Sequence, residues 1–285
     1  MLAKIINGTA VAKGIRAECQ KRVAGLKAKS NLIPGLAVIM VGDSPASAVY
    51  VRNKVRACED VDIRSTVINF PADTDPETVI SKIQDLNRDV NIHGILVQLP
   101  LPPQFRINQI LGTIDVDKEV DGFHLYNVGG LVIGDTVFPP CTPYGVVRLL
   151  EHEGIPLEGR NVVVVGASNI VGKPMALMLM QRDATVSICH AKTRDLAQFT
   201  ILADILVVAV GQPNLILPQM VKTGAVVIDV GINRPLTDAS SATSILKASG
   251  KRHPISHRFP AVSGHDGDDA TGQHNQLSGT KPGDR

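Results

Sequence analysis

The chain has 285 residues, a formal net charge of +2, 44% hydrophobic residues and only 3% aromatics. That length holds two domains of ordinary size, each with its own core, and so small a charge argues against a nucleic-acid partner. No apolar run reaches the length of a membrane span and the N-terminus lacks a signal-peptide core, so no membrane partner and a cytoplasmic location are expected.

Val11, Ile15, Cys19, Val23 and Leu26 recur at helical spacing, and an apolar run from Leu36 to Val41 follows between Pro34-Gly35 and Gly42-Asp43. This predicts a helix and then a buried strand. The alternation continues with a helix from about 46, a strand near 65–70, a helix near 76–88 after Asp73-Thr74-Asp75-Pro76, and a strand at 94–99. Breakers at Pro139-Pro140 and Thr142-Pro143 mark a hinge within 134–145, and a helix is predicted over 143–154. Val162 to Val165, Thr185 to Cys189, Ile205 to Val210 and Ala225 to Val230 then give four strand candidates about twenty residues apart, the cadence of a nucleotide-binding α/β unit. The expected fold is α/β, a parallel sheet in each of two domains. The four cysteines, at 19, 58, 141 and 189, lack the paired spacing of a zinc site. No metal is expected, and Cys19 and Cys189 read as buried free thiols.

Gln98 stands where the strand at 94–99 ends and a Pro-rigid loop begins. Ligands collect at the carboxyl ends of such strands, which makes Gln98 a candidate contact; the plainer reading is an amide that bonds its own loop. Asp43 and Ser44 carry N-cap signals for a helix on which Tyr50 and Lys54, four residues apart, share a face. A snorkelling surface pair would look the same. Asp121, beside Gly122, is either a site carboxylate or a turn former.

In the second half, Gly166-Ala167-Ser168-Asn169-Ile170-Val171-Gly172 follows a strand and opens a helix. It lacks the second glycine of the usual dinucleotide fingerprint. Backbone N–H groups at the helix start, with the Ser168 hydroxyl, nevertheless suit phosphate oxygens; an ordinary strand-to-helix turn is the alternative. After the next strand no carboxylate waits for a ribose; His190 and Lys192 suit a 2′-phosphate instead, which favours NADP. His190 reads equally as a surface histidine.

Tyr50 to Lys54, GILVQLPLP at 94–102, VDGFH at 120–124, PCTPYG at 140–145 and VVVVGASNIVGKP at 162–174 stand in one order. Together they resemble the bifunctional methylenetetrahydrofolate dehydrogenase/methenyltetrahydrofolate cyclohydrolase family, and the likeness runs to Asn233-Arg234. The resemblance implies a folate-binding catalytic domain over 1–140 and a Rossmann-like NADP-binding domain over 141–234. It also implies tetrahydrofolate derivatives as substrates and a homodimer through the cofactor domain. Lys54 would be base or proton carrier, Gln98 would hold its amine or the attacking water, Tyr50 would stack on the folate rings, and Asp121 would pair with the donor-rich pterin edge. Gly166, Ala167, Ser168, His190, Lys192 and Ile232 would line the cofactor site, where the loops at Gly211 and Gly231 border the nicotinamide. Relatives often carry arginine at the position of Ala191, a departure in this chain.

Beyond Arg234 the family's GDVDF strand, TPVPGGVGPMT loop and closing helix are not visible. Written as codons and shifted by one base, Ser241 to Leu246 permits GDVDF and Ser256 to His265 permits TPVPGGVGP. A second shift at His265 lets Asp266 onward permit MTVMMLL. The encoding DNA or its read-out is therefore expected to carry single-base discrepancies near Pro235 and His265. As written, 235–285 has the composition of a poorly ordered tail. Two alternatives stand beside the enzyme: a catalytically impaired folate or nucleotide binder, and a dehydrogenase of another small substrate on the same plan.

Overall fold

The structure, a computed structural model, describes residues 4–231 and 244–247. Its first sheet is parallel, with β2 (Gly35–Val41) between β3 (Arg64–Phe70) and β4 (Gly94–Val97). Every residue of β4 is buried, as an unbroken Gly-Ile-Leu-Val run requires of a strand covered on both faces. On one face α2 (Pro45–Glu59) sets Val51 against Val38 and Leu96, with Val55 and Val120 packed alongside. On the other lie α3 (Pro76–Arg88) and α4 (Ile107–Thr113), whose Val79, Ile83, Ile110 and Leu111 meet Ile39 and Ile95. Each such side chain contributes about 1.5–3 kcal/mol over its exposed state.

Local sequence starts these helices where they are needed. Ser44 accepts from Ser47 N–H ahead of α2, Asp75 accepts from Glu77 N–H ahead of α3, and proline holds the first helical position of both. The first helix, α1 (Gly8–Ser30), buries only Val11 and Val23. Cys19 is therefore half-exposed rather than buried, a correction to the apolar periodicity, whereas Cys189 is buried as expected. The period sets one stripe of the helix, but here the neighbouring elements cover only part of it.

The second sheet has six strands in the order β1-β9-β8-β7-β5-β6. Its parallel part is β5 (Asn161–Val165), β6 (Thr185–Cys189), β7 (Ile205–Val208) and β8 (Val226–Asp229). β9 (Ser244–Lys247) lies antiparallel to β8 and to the short β1 (Lys4–Ile5). Within 235–285 only β9 is described; the rest of the stretch for which poor order is expected lies outside the described residues. One face of this sheet is covered by α6 (Cys141–His152) and α7 (Gly172–Met180), through Val146, Val147, Leu150, Met175 and Leu179. The opposite core gathers Val163, Val165, Cys189, Leu206 and Val208.

Three features of the chain's first half reach into this second unit. Ile6 and Leu131, the latter from α5 (Leu125–Ile133), are buried in its core. Lys4 pairs with Glu153 at 2.7 Å, and the Gln181 amide donates to the Leu131 carbonyl. The chain thus starts in the second sheet with β1, leaves it at 6–8 and returns over 125–140.

Candidate active site

Packing of α2 on the first sheet fixes the site. Val51 and Val55 press against Val38 and Leu96, and the same cluster takes in Val120. Their chain neighbours Lys54 and Asp121 are thereby brought together: Lys54 Nζ lies 3.8 Å from Asp121 Oδ1, with side chains only 13% and 6% exposed. Burial pushes the Asp121 carboxyl above its ordinary value, with Lys54 opposing that rise. Asp121 Oδ2 is buried and has no hydrogen-bond partner among the described residues.

Gln98 follows β4 directly, and its backbone N–H extends the ladder to Ile39 O at 2.8 Å. The side chain is 2% exposed. Its Nε2 donates to Leu99 O at 2.7 Å, while Oε1 is buried and unpartnered among the described residues. The next peptide, Leu99–Pro100, is cis. The amide of Gln98 thus bonds its own loop through one end, as the plainer sequence reading expects, and leaves its oxygen without a partner among the described residues. An acceptor left without any partner would cost about 1–3 kcal/mol. Tyr50 sits one turn before Lys54 on α2 and is half-buried.

Sequence reasoning overlooked Glu119 and Asn127, both fully buried. Residue 119 forms an isolated parallel bridge with Ile95, on the edge of β4, and this carries the following segment past the carboxyl end of the sheet. Glu119 accepts from the backbone N–H groups of Asp121, Gly122 and His124 at 3.0, 3.1 and 3.1 Å, and from Asn127 Nδ2 at 3.0 Å. In sequence, Asp-Lys-Glu at 117–119 looks like a solvated charge run, so no signal in the chain announces this role. Gly122 has φ +81°, and a Cβ there would run into the Pro139–Pro140 backbone. Cys141 closes the same corner, its Sγ donating to Val120 O at 3.3 Å; burial first, and then the Asp121 charge, push its thiol up to about 12. That thiol is no nucleophile at neutral pH.

In the second unit the loop from Gly166 to Gly172 lies at the carboxyl end of β5. A Cβ on Gly172 would overlap the Gly166 carbonyl, so the loop is folded back as tightly as glycine permits. Ser168 Oγ accepts from Val171 and Gly172 N–H at 3.1 and 3.3 Å. The serine therefore caps the start of α7 from within, using two of the N–H groups that sequence reasoning offered to phosphate, and keeps its own hydroxyl proton to donate. Ala167 lies in the same loop, its Cα close to where a Gly172 side chain would stand.

At the end of β6, His190 N–H donates to Thr193 Oγ1 at 2.9 Å and His190 Nδ1 accepts from Lys192 N–H at 3.1 Å. This turn leaves His190, Lys192 and Arg194 exposed. The next carboxylate along the chain, Asp195, accepts from Ala197 N–H ahead of α8 (Ala197–Thr200). The residues present therefore fit a dinucleotide with an extra phosphate: a glycine-tight loop at one strand end and a cationic turn at the next. Asp229, at the end of β8, accepts from Gly231 N–H at 2.8 Å, and burial pushes its carboxyl up to about 6. Ile232 lies outside the described residues. Among the described residues no group of three His, Cys, Asp or Glu side chains could hold a metal, and no helix is long and apolar enough to cross a membrane.

A parallel three-stranded unit with a buried lysine–carboxylate pair, joined to a doubly covered dinucleotide-type sheet, defines a two-domain α/β dehydrogenase. The chain belongs to the tetrahydrofolate dehydrogenase/cyclohydrolase family, whose catalytic-domain model matches residues 6–121 and whose NAD(P)-binding-domain model matches residues 140–250. It is 56% identical over 245 residues to the bifunctional protein FolD of Nitrosospira multiformis, covering 86% of this chain and 84% of that one. Against FolD of Paraburkholderia phytofirmans identity is 49% over 264 residues, 93% of this chain and 91% of the relative. Among solved structures, the bifunctional FolD methylenetetrahydrofolate dehydrogenase/cyclohydrolase of Campylobacter jejuni is similar, with 46% identity, a TM-score of 0.82 and 84% of both chains covered. The Trypanosoma brucei enzyme, solved with NADP cofactor and inhibitor, has 35% identity and a TM-score of 0.81 over 87% of this chain and 85% of that one. Family membership displaces the alternative of a dehydrogenase acting on an unrelated small substrate.

Proposed function

We propose that the cleft around Lys54, Gln98 and Asp121 carries out both reactions of the family in one-carbon metabolism. The first is oxidation of methylenetetrahydrofolate to methenyltetrahydrofolate with NADP, and the second is hydrolysis of the methenyl to the formyl compound. The observation that carries this reading is the buried Lys54–Asp121 pair at 3.8 Å, with an unpartnered acceptor on Asp121 and another on Gln98, at the carboxyl end of β4. Asp121 Oδ2 is an acceptor held away from water, as a donor-rich pterin edge demands. Tyr50, one helical turn from Lys54, supplies a ring to stack on the folate and to keep the water at the reacting carbon ordered.

A bound NADP would supply a hydride acceptor for the methylene carbon, chemistry that asks this chain's residues for alignment and no base. For hydrolysis Lys54 receives a proton from the water that adds to the methenyl carbon and passes it to the departing ring nitrogen, while the remaining hydroxyl proton leaves to solvent as the formyl C=O forms. Gln98 Oε1 orients the Lys54 amine or that water. Gly166, Ala167 and Ser168 would hold the pyrophosphate, and Lys192, with His190, would meet the 2′-phosphate; the relative solved with NADP supports that choice of cofactor. Ile232 completes this set by resemblance. Residues 1–140 then serve the folate and 141–234 the cofactor.

The same reading includes a homodimer through the cofactor domain, for which β6 offers an unpaired outer edge among the described strands and a 41% exposed Ile188. A reducing cytoplasm suits four free cysteines. The decisive experiment is Lys54→Met assayed for methenyltetrahydrofolate hydrolysis and for NADP binding. Hydrolysis should fall by at least about 100-fold, the scale of lost proton-transfer catalysis, with NADP affinity nearly intact. Wild-type hydrolysis by the variant would sink the role given to Lys54.

A further inference from the structure

The Asp121 carboxylate has few side-chain contacts to hold it. Its Oδ2 has no partner among the described residues, and Lys54 stands 3.8 Å from Oδ1, beyond a firm hydrogen bond. The direction in which it points is therefore set by its backbone, and that backbone is held by Glu119. Four N–H groups converge on the Glu119 carboxylate: Asp121 on Oε1, and Gly122, His124 and Asn127 Nδ2 on Oε2. Among the described ion pairs none involves Glu119. The adjoining cation, Lys118, is committed elsewhere, its Nζ donating to the carbonyls of Leu86, Asn87 and Asp89 at the end of α3. A buried carboxylate neutralised wholly by N–H dipoles belongs at a place where backbone must be pinned.

The pinning extends to the linker. Asn127, whose amide N–H reaches Glu119, accepts from Phe138 N–H at 3.3 Å, and its carbonyl accepts from Thr136 Oγ1 at 3.2 Å. Cys141 N–H in turn donates to Asp121 O at 3.3 Å. One carboxylate thus connects the Asp121 turn, the start of α5 and the segment that leads into α6.

We propose that Glu119 is a positioning residue for folate binding, holding the Asp121 turn so that its carboxylate meets the pterin edge beside Lys54. The inference rests on the reading of the cleft given above. Glutamine at 119 would place an amide NH2 against N–H donors and break the convergence, whereas aspartate would keep the charge one methylene short.

The test is steady-state kinetics of both reactions on Glu119→Gln, Glu119→Asp and Asp121→Asn, with active sites counted by NADP binding. Glu119→Gln should raise the folate KM by about ten-fold or more in both reactions, one tenfold step in affinity, and leave NADP affinity within about two-fold. Glu119→Asp should recover part of that loss. A merely structural role would lower the count of active sites and leave KM per site unchanged, and that result overturns the proposal. If Glu119→Gln yields no folded protein, Glu119→Asp decides alone: a raised folate KM supports positioning, an unchanged one refutes it. Normal folate binding by Asp121→Asn would refute the reading of the cleft itself, while a defective Asp121→Asn beside a normal Glu119→Gln refutes only the role of Glu119.

Discussion

Asp229 carries a testable consequence of its own burial. It ends β8 and takes one hydrogen bond, from Gly231 N–H, which lowers its pKa but less than desolvation raises it; the net position is about 6, against 3.8 for the free side chain. A carboxyl raised in the folded state favours folding while protonated, so its contribution is present below pH 3.8 and is lost as pH climbs through about 6. Above that window the ionised Asp229 opposes folding by up to about 3 kcal/mol. Asp229→Asn keeps the acceptor for Gly231 and removes the charge. It should therefore stabilise the protein at pH 8 and do so by about half as much at pH 5, where the parent is mostly protonated. Urea unfolding at the two pH values measures this, and an equal gain at both would show that ionisation is not the cause. At this scale Gln98 stands out as a polar amide after an apolar strand, whereas Tyr50, Lys54 and Asp121 look ordinary one by one and are singled out only together with it and by the family resemblance. Glu119 is not, because what distinguishes it is the bridge from residue 119 to Ile95, a contact between segments far apart in sequence.

Between elements, the Gly172 position shows how a loop and a helix depend on one missing Cβ. The start of α7 lies over the Gly166 carbonyl and the Ala167 Cα, and Ser168 ties the turn by accepting from Val171 and Gly172 N–H. Gly172→Ala must push α7 or the loop apart, an overpacking that costs about 1–3 kcal/mol. In a chain of this size it should lower Tm by about 2–10 °C and weaken NADP binding by about ten-fold or more as the phosphate-facing loop shifts. Melting curves and NADP titration on the variant test this; unchanged values for both would mean the loop yields without consequence. Strands β2 to β8 and most long helices lay within a residue or two of where apolar runs and caps placed them, whereas the short β1, β9 and α8 were not anticipated. Missed as well were α4 and α5. The former has no side-chain cap, and the latter contains Gly129-Gly130 and is capped by a histidine, His124 Nδ1 accepting from Tyr126 N–H. Helices held by tertiary packing, such as Leu131 in the second core, leave weak local signals.

For the whole molecule, the sheet order joins the two ends of the chain. β9 lies between β8 and β1, so Leu246 is in register with both Val227 and Ile5, and the backbone pairing of the first residues with the cofactor sheet runs through this strand. The strand falls in the stretch where a one-base shift of frame permits GDVDF, and a backbone ladder tolerates many side chains at one register. The shifted reading also permits TPVPGGVGP and MTVMMLL farther on, in residues outside those described. A chain with its coding frame restored across these three segments should melt higher than the present one. Burying several more Leu and Met side chains contributes about 1.5–3 kcal/mol each before the entropy of ordering is charged. It should also turn over faster, because the family's glycine-rich loop would then stand beside both ring systems. Thermal melts and dehydrogenase assays on the two chains side by side decide the matter. Equal melting temperatures and equal rates would mean that the segment after β9 replaces the family's closing elements in full, and that the shift of frame has no physical consequence.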